Sequence, residues 1–286
     1  MQAFDLASRA GKRLASLLVL ASIALPLSAK AEPQGTPPCN PPQDLVRLSA
    51  PLKQVARKIA SGDPIVIVAM GSSSTAGAGA SSSIASYPSQ LAAELKRQFP
   101  KQSITMINRG VNGEEVPDML KRFDSAVVAS KPDLLLWQLG TNSLIRDHAM
   151  TDRGASIREG LDKMRAIGAD VVLIDPQFAP KVIAKPQAGQ MVDFIATTAK
   201  KENVGLFRRF AAMKRWNEVD RLPFSTFLIG DGLHLNDWGY HCMAKGLAVA
   251  IAEAAQRPVM SATASPARPA VAVTAVAPAP RYDYAD

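Results

Sequence analysis

The chain has 286 residues, 47% of them apolar, with 33 Lys+Arg against 25 Asp+Glu for a net charge of +8. That length fits one large or two small domains, and the apolar share is enough for a sizeable core. The positive charge is dispersed, with only isolated pairs such as Lys200-Lys201 and Arg208-Arg209, so a nucleic-acid partner is not expected.

Residues 1–31 read as a secretory signal peptide. Arg9, Lys12 and Arg13 precede an apolar run from Leu14 to Leu27, and Ala29-Lys30-Ala31 supplies the cleavage pattern. The run falls short of the roughly 20 residues that span a bilayer, so no membrane span is expected after cleavage. Removing these residues, which carry +3, lowers the charge from +8 to +5. The expected location is periplasmic or secreted. Residues 32–62 form an N-terminal extension: a Pro-rich stretch to Pro42, then a helix over 45–60 with Leu45, Leu48, Leu52, Val55 and Ile59 at helical spacing.

From residue 63 to 256 short apolar runs alternate with amphipathic segments. The runs are Ile65–Met70, Ile104–Ile107, Leu134–Leu139, Val171–Ile174 and Val204–Phe207; the helical patterns lie near 88–98, 115–129, 155–167, 188–201 and 238–255. Fully apolar strands alternating with helices predict an α/β fold, a doubly wound five-stranded parallel sheet in a flavodoxin-like three-layer sandwich. Residues 257–286, rich in Ala and Pro without a period, read as a disordered tail. Cys39 and Cys242 are the two cysteines. In an exported chain they either pair as a disulfide or remain two unrelated buried thiols.

Candidate chemistry sits where strands end. Ser73 follows the first run, in Gly71-Ser72-Ser73-Ser74-Thr75-Ala76-Gly77, where a nucleophile leaves a strand for a Gly-rich turn. The rival reading is a flexible polar loop. Asp231-Gly232-Leu233-His234 places an acid three residues before a base, so the carboxylate can fix the imidazole tautomer. Of the other histidines, His241 begins a helical run, and His148 lies in an Arg-Asp-His loop without a local nucleophile. Asn108 to Gly113 follows the second run, and Gly140-Thr141-Asn142 the third. A glycine N–H and an amide side chain there can each donate to a developing oxyanion, or merely form a tight turn and a cap. No cluster of metal ligands at short spacing occurs, and the glycines at 77–79 fit neither a dinucleotide fingerprint nor a P-loop. Neither metal nor cofactor is expected.

These four segments, in this order, resemble the four blocks of the SGNH hydrolases, also called GDSL esterases/lipases. The match departs from the family at Ser72 and Ser143, where the family carries Asp. The resemblance implies the SGNH hydrolase fold over 63–256, with Ser73 as nucleophile, His234 as base and Asp231 as its partner. It also implies oxyanion donors from Ser73 N–H, Gly113 N–H and the Asn142 side chain. The expected function is an exported serine esterase acting through an acyl-serine intermediate. Its substrate is a small-molecule or polysaccharide ester with a short acyl group, O-acetyl on carbohydrate foremost. An acyltransferase using the same triad and a non-catalytic carbohydrate-binding pseudo-hydrolase remain alternatives.

Overall fold

The computed structural model describes residues 37–42, 44–148 and 153–257. The signal peptide expected at 1–31 lies outside these residues, as does the tail beyond Arg257. The chain divides into two units, Met1–Pro38 and Cys39–Asp286, and the second carries the fold.

Five strands form one parallel sheet: β1 (Ile65–Gly71), β2 (Ile104–Gly110), β3 (Leu134–Gln138), β4 (Asp170–Ile174) and β5 (Gly205–Phe207). Their order is β2-β1-β3-β4-β5, the doubly wound arrangement that the alternating runs predict. Every residue of β3 is buried, and all but one of β1, because helices cover both faces of a parallel sheet. The edge strand β2 is only partly covered. Helix α1 (Lys53–Ser61) precedes β1, and between the strands run α2 (Ser73–Ala76), α3 (Tyr87–Gln98), α4 (Val116–Lys121), α5 (Phe123–Ala126), α6 (Thr141–Ile145), α7 (Arg153–Ala166), α8 (Pro180–Ile183) and α9 (Ala188–Lys201). After β5 come α10 (Arg209–Glu218), α11 (Phe224–Phe227) and α12 (Asp237–Gln256). Helices α3 and α12 pack together, with α1 beside α12; α7 packs against α4 and β4.

The helix expected over 45–60 begins only at Lys53. Pro51 disfavours a helical residue before it, and the preceding stretch is bound elsewhere: Ser49 Oγ donates to Val204 O, and Leu52 N–H to Ala254 O. Leu48 and Leu52 are nonetheless buried, so their spacing reports burial without a helix. Having no N-cap side chain of its own, α1 is capped from the sheet, where Asp170 Oδ2 accepts Val55 N–H at 2.9 Å. The segment expected as one helix over 115–129 is broken at Arg122. Its guanidinium reaches back to the Glu114 carboxylate and to Arg109 O.

Cys39 and Cys242 form a disulfide with Cα atoms 5.4 Å apart. It fastens the start of the folded unit to the second turn of α12. Behind β4 and β5, Arg209 is buried. Its Nε donates to Asp175 O, and neither Nη has a partner among the described residues. The Asp175 carboxylate accepts Phe210 N–H at 2.9 Å. Burial pushes the Asp175 carboxyl up, to about 7, and holds the Arg209 guanidinium below its usual range.

Candidate active site

Strand order reverses beside β1: the chain steps to β2 on one side, then to β3 on the other. Ligands of doubly wound sheets bind at such a switch point, outside the carboxyl ends of the strands. Ser73 opens α2 immediately beyond β1. The turn is tight enough that a Cβ on Gly110, at the end of β2, would collide with the Ala76 backbone. Gln138 at the end of β3 anchors it. The buried Oε1 accepts Ser72 N–H at 2.9 Å, Ser72 Oγ–H at 3.1 Å and Thr75 Oγ1–H at 3.3 Å. Ser72, which stands where SGNH hydrolases carry Asp, is thus a neutral donor to an amide oxygen.

His234 arrives from the segment between α11 and α12. Its Nε2 lies 2.8 Å from Ser73 Oγ and its Nδ1 2.5 Å from Asp231 Oδ2. Asp231 Oδ1 accepts the Leu233 and His234 backbone N–H groups, both at 2.9 Å. The Asp-x-x-His segment is therefore a turn folded over its own carboxylate, not a helix. Partial burial works to raise the Asp231 carboxyl, but the bonds from His234 and Leu233 prevail and hold it below its usual range. With the ring proton on Nδ1, facing the carboxylate, Nε2 accepts the Ser73 hydroxyl.

The two further donor candidates, Gly113 and Asn142, are linked to each other through Glu114. Gly113 has φ +78°, and its N–H has no acceptor among the described residues. Asn142 Nδ2 donates to Glu114 O at 2.9 Å, linking the turn after β2 to the one after β3. Glu115, buried and absent from the sequence reading, organises the junction. Its carboxylate accepts from Ser143 Oγ at 2.7 Å and Arg146 Nη1 at 2.8 Å, contacts His148 Nδ1 at 2.9 Å, and forms a capping box at the start of α4. Ser143, the second departure from the SGNH pattern, is the residue that reaches it. The only local signal was Glu115 three residues before Asp118, a capping-box spacing. His241 stands apart, 3.3 Å from Gln90. No group of three or more potential metal ligands gathers among the described residues.

Sheet, switch point and relay fit the class of enzymes that work by nucleophilic acyl transfer, and the family and relative that the chain matches make it a hydrolase of carboxylic ester bonds. Within it the chain belongs to the Non-GDSL lipase-like family, whose model matches residues 38–257. An acetylxylan esterase of Geobacillus stearothermophilus is 24% identical over 175 residues, 56% of this chain and 77% of that protein. Among solved structures, a two-domain esterase (CEX) active on acetylated mannans, co-crystallised with mannopentaose, has a TM-score of 0.61 at 19% identity. The match covers 74% of this chain and 56% of that one, so the chain spans little more than half of the two-domain protein. A catalytic mutant of Axe2, an acetylxylan esterase from Geobacillus stearothermophilus, has a TM-score of 0.57 at 18% identity, over 65% of this chain and 94% of that one. These likenesses show the shared fold.

Proposed function

We propose that the protein is an exported, SGNH-type serine esterase that removes short acyl groups, acetyl foremost, from a polysaccharide. The observation that carries this reading is the continuous relay from Asp231 through His234 to Ser73. As Ser73 Oγ attacks the ester carbonyl, His234 Nε2 takes its proton and Asp231 steadies the imidazolium. The oxyanion is received by Ser73 N–H, Gly113 N–H and Asn142 Nδ2. The sugar alcohol leaves with the proton from His234, forming the acyl-serine. Water, activated by the same imidazole, then releases the carboxylic acid and restores the hydroxyl.

The short-acyl preference is supported by the chain beside Ser73, where Gly77 to Ser83 is only Gly, Ala and Ser, offering no apolar wall for a long chain. The carbohydrate preference is supported by the acetylxylan esterase relative and by the mannan esterase of the same fold. Export is supported by the signal pattern at 1–31 and by the disulfide, a bond at home in oxidising compartments. N-terminal sequencing of protein recovered from the periplasm or medium checks it, and an intact Met1 overturns it.

The deciding experiment compares kcat/KM for nitrophenyl acetate, butyrate, octanoate and palmitate, and release of acetate from acetylated xylan and mannan. Acetate esters are expected to lead. A preference for octanoate or longer makes the protein a lipase instead.

A further inference from the structure

Beside the relay lies an open depression of about 340 Å³, lined by Gly79, Ser81, Asn236, Asp237 and Trp238. Its volume is at the lower end of the roughly 300–1,000 Å³ of small-ligand sites. It adjoins the base-bearing segment directly. Gly79, at φ +90°, lies so close that an added Cβ would strike Leu235 O and come within 3.0 Å of His234 Cβ.

The walls are fixed and chemically distinct. Asp237 accepts Ser81 N–H at 2.7 Å and Ser81 Oγ–H at 2.5 Å. Those bonds, the hydroxyl first, hold its carboxyl below the usual range, so an exposed carboxylate remains with lone pairs free for further donors. Trp238 is half-buried and held edge-on against Trp216 with ring centres 5.3 Å apart; Trp216 in turn packs on Phe227 at 5.6 Å. Asn236 is already committed, Nδ2 to Thr226 O and Oδ1 to Gly239 N–H, each at 3.0 Å, and serves as wall. An immobilised indole next to a bidentate acceptor suits a ligand with one apolar C–H face and a rim of hydroxyl donors, which describes a pyranose. A long acyl chain would meet an ionised carboxylate there.

Resting on the esterase reading above, we propose that this depression binds a pyranose ring of the polysaccharide chain, adjacent to the sugar whose ester is cleaved. Trp238 supplies the stacking surface and Asp237 accepts hydroxyl hydrogens.

The test has two arms. Xylotetraose and mannotetraose, which carry no ester, are titrated into the full protein with tryptophan fluorescence as readout; at least one is expected to bind, and less tightly to Trp238→Ala. In the second arm, kcat/KM for acetylated xylotetraose is divided by that for nitrophenyl acetate. The ratio is expected to fall roughly tenfold, through KM, in Trp238→Ala and in Asp237→Asn, and to fall less in Trp238→Phe. A folding defect lowers both rates and leaves the ratio alone, so a ratio within twofold of wild type in both variants overturns the subsite. If wild type cleaves neither substrate, the esterase reading fails, and the binding arm decides the subsite by itself: no binding of either tetraose overturns it.

Discussion

At the scale of single residues, the site separates groups that react from groups that hold them. Ser73→Ala is expected to lower turnover by at least roughly 10³-fold with an unchanged circular dichroism spectrum; activity within tenfold of wild type rejects Ser73 as nucleophile. Asn142→Ala removes the side-chain donor proposed for the oxyanion, and should cut kcat by roughly 10²–10³-fold with KM little changed. An unaltered kcat would take Asn142 out of the mechanism. Asp175, whose carboxylate holds the first turn of α10, has a pH signature of definite sign. Its ordinary carboxyl value is 3.8 and its folded value about 7. Below pH 4 both folded and unfolded states are protonated. Between about 4 and 7 the unfolded state gives up a proton the folded state keeps, so stability falls as pH rises, at about 1.4 kcal/mol per pH unit, and levels off above. Asp175→Asn should therefore gain on wild type across that window in denaturant titrations; a difference independent of pH would show that Asp175 does not titrate there.

At the scale of elements, the strands and the relay were legible for the same reason: their information is local. A strand covered on both faces is an uninterrupted apolar run, so β1 and β3 stand out from the sequence. Asp231 and His234 lie three residues apart, and the turn joining them needs nothing else. Glu115 was not legible because its partners Ser143, Arg146 and His148 lie 28, 31 and 33 positions away, and no pattern in either segment announces the other. Gln138 was hidden inside a strand for a similar reason, its donors being 63 to 66 residues upstream. The extension misled because Leu48 and Leu52 imitate helical spacing while Pro51 forbids the helix. Glu115 welds α4 to α6, so Glu115→Gln should weaken that junction by about 1–3 kcal/mol. Since the junction carries Asn142 and abuts Gly113, kcat should drop more than KM rises. A variant with lowered stability and full kcat would make Glu115 a structural tie alone.

At the scale of the whole molecule, the disulfide closes a separation of 203 residues. Holding that loop restricts the unfolded chain, a contribution of up to about 5 kcal/mol in the chain-entropy description. Reduction, or Cys39→Ser with Cys242→Ser, should lower the thermal midpoint while leaving the sheet intact by circular dichroism. An unchanged midpoint would mean that the docked helix α12 alone secures the fold. No helix among the described residues is long and apolar enough to cross a membrane.

The distance along the chain between Ser73 and His234 has a consequence of its own. Ser73 and His234 are 161 positions apart, the first following the first strand and the second following the last. A chain emerging from the ribosome displays its serine long before its imidazole exists. The relay therefore cannot close until the segment after the last strand has been made and threaded into place. The order of the parts thus acts as a safety catch on the chemistry proposed for them.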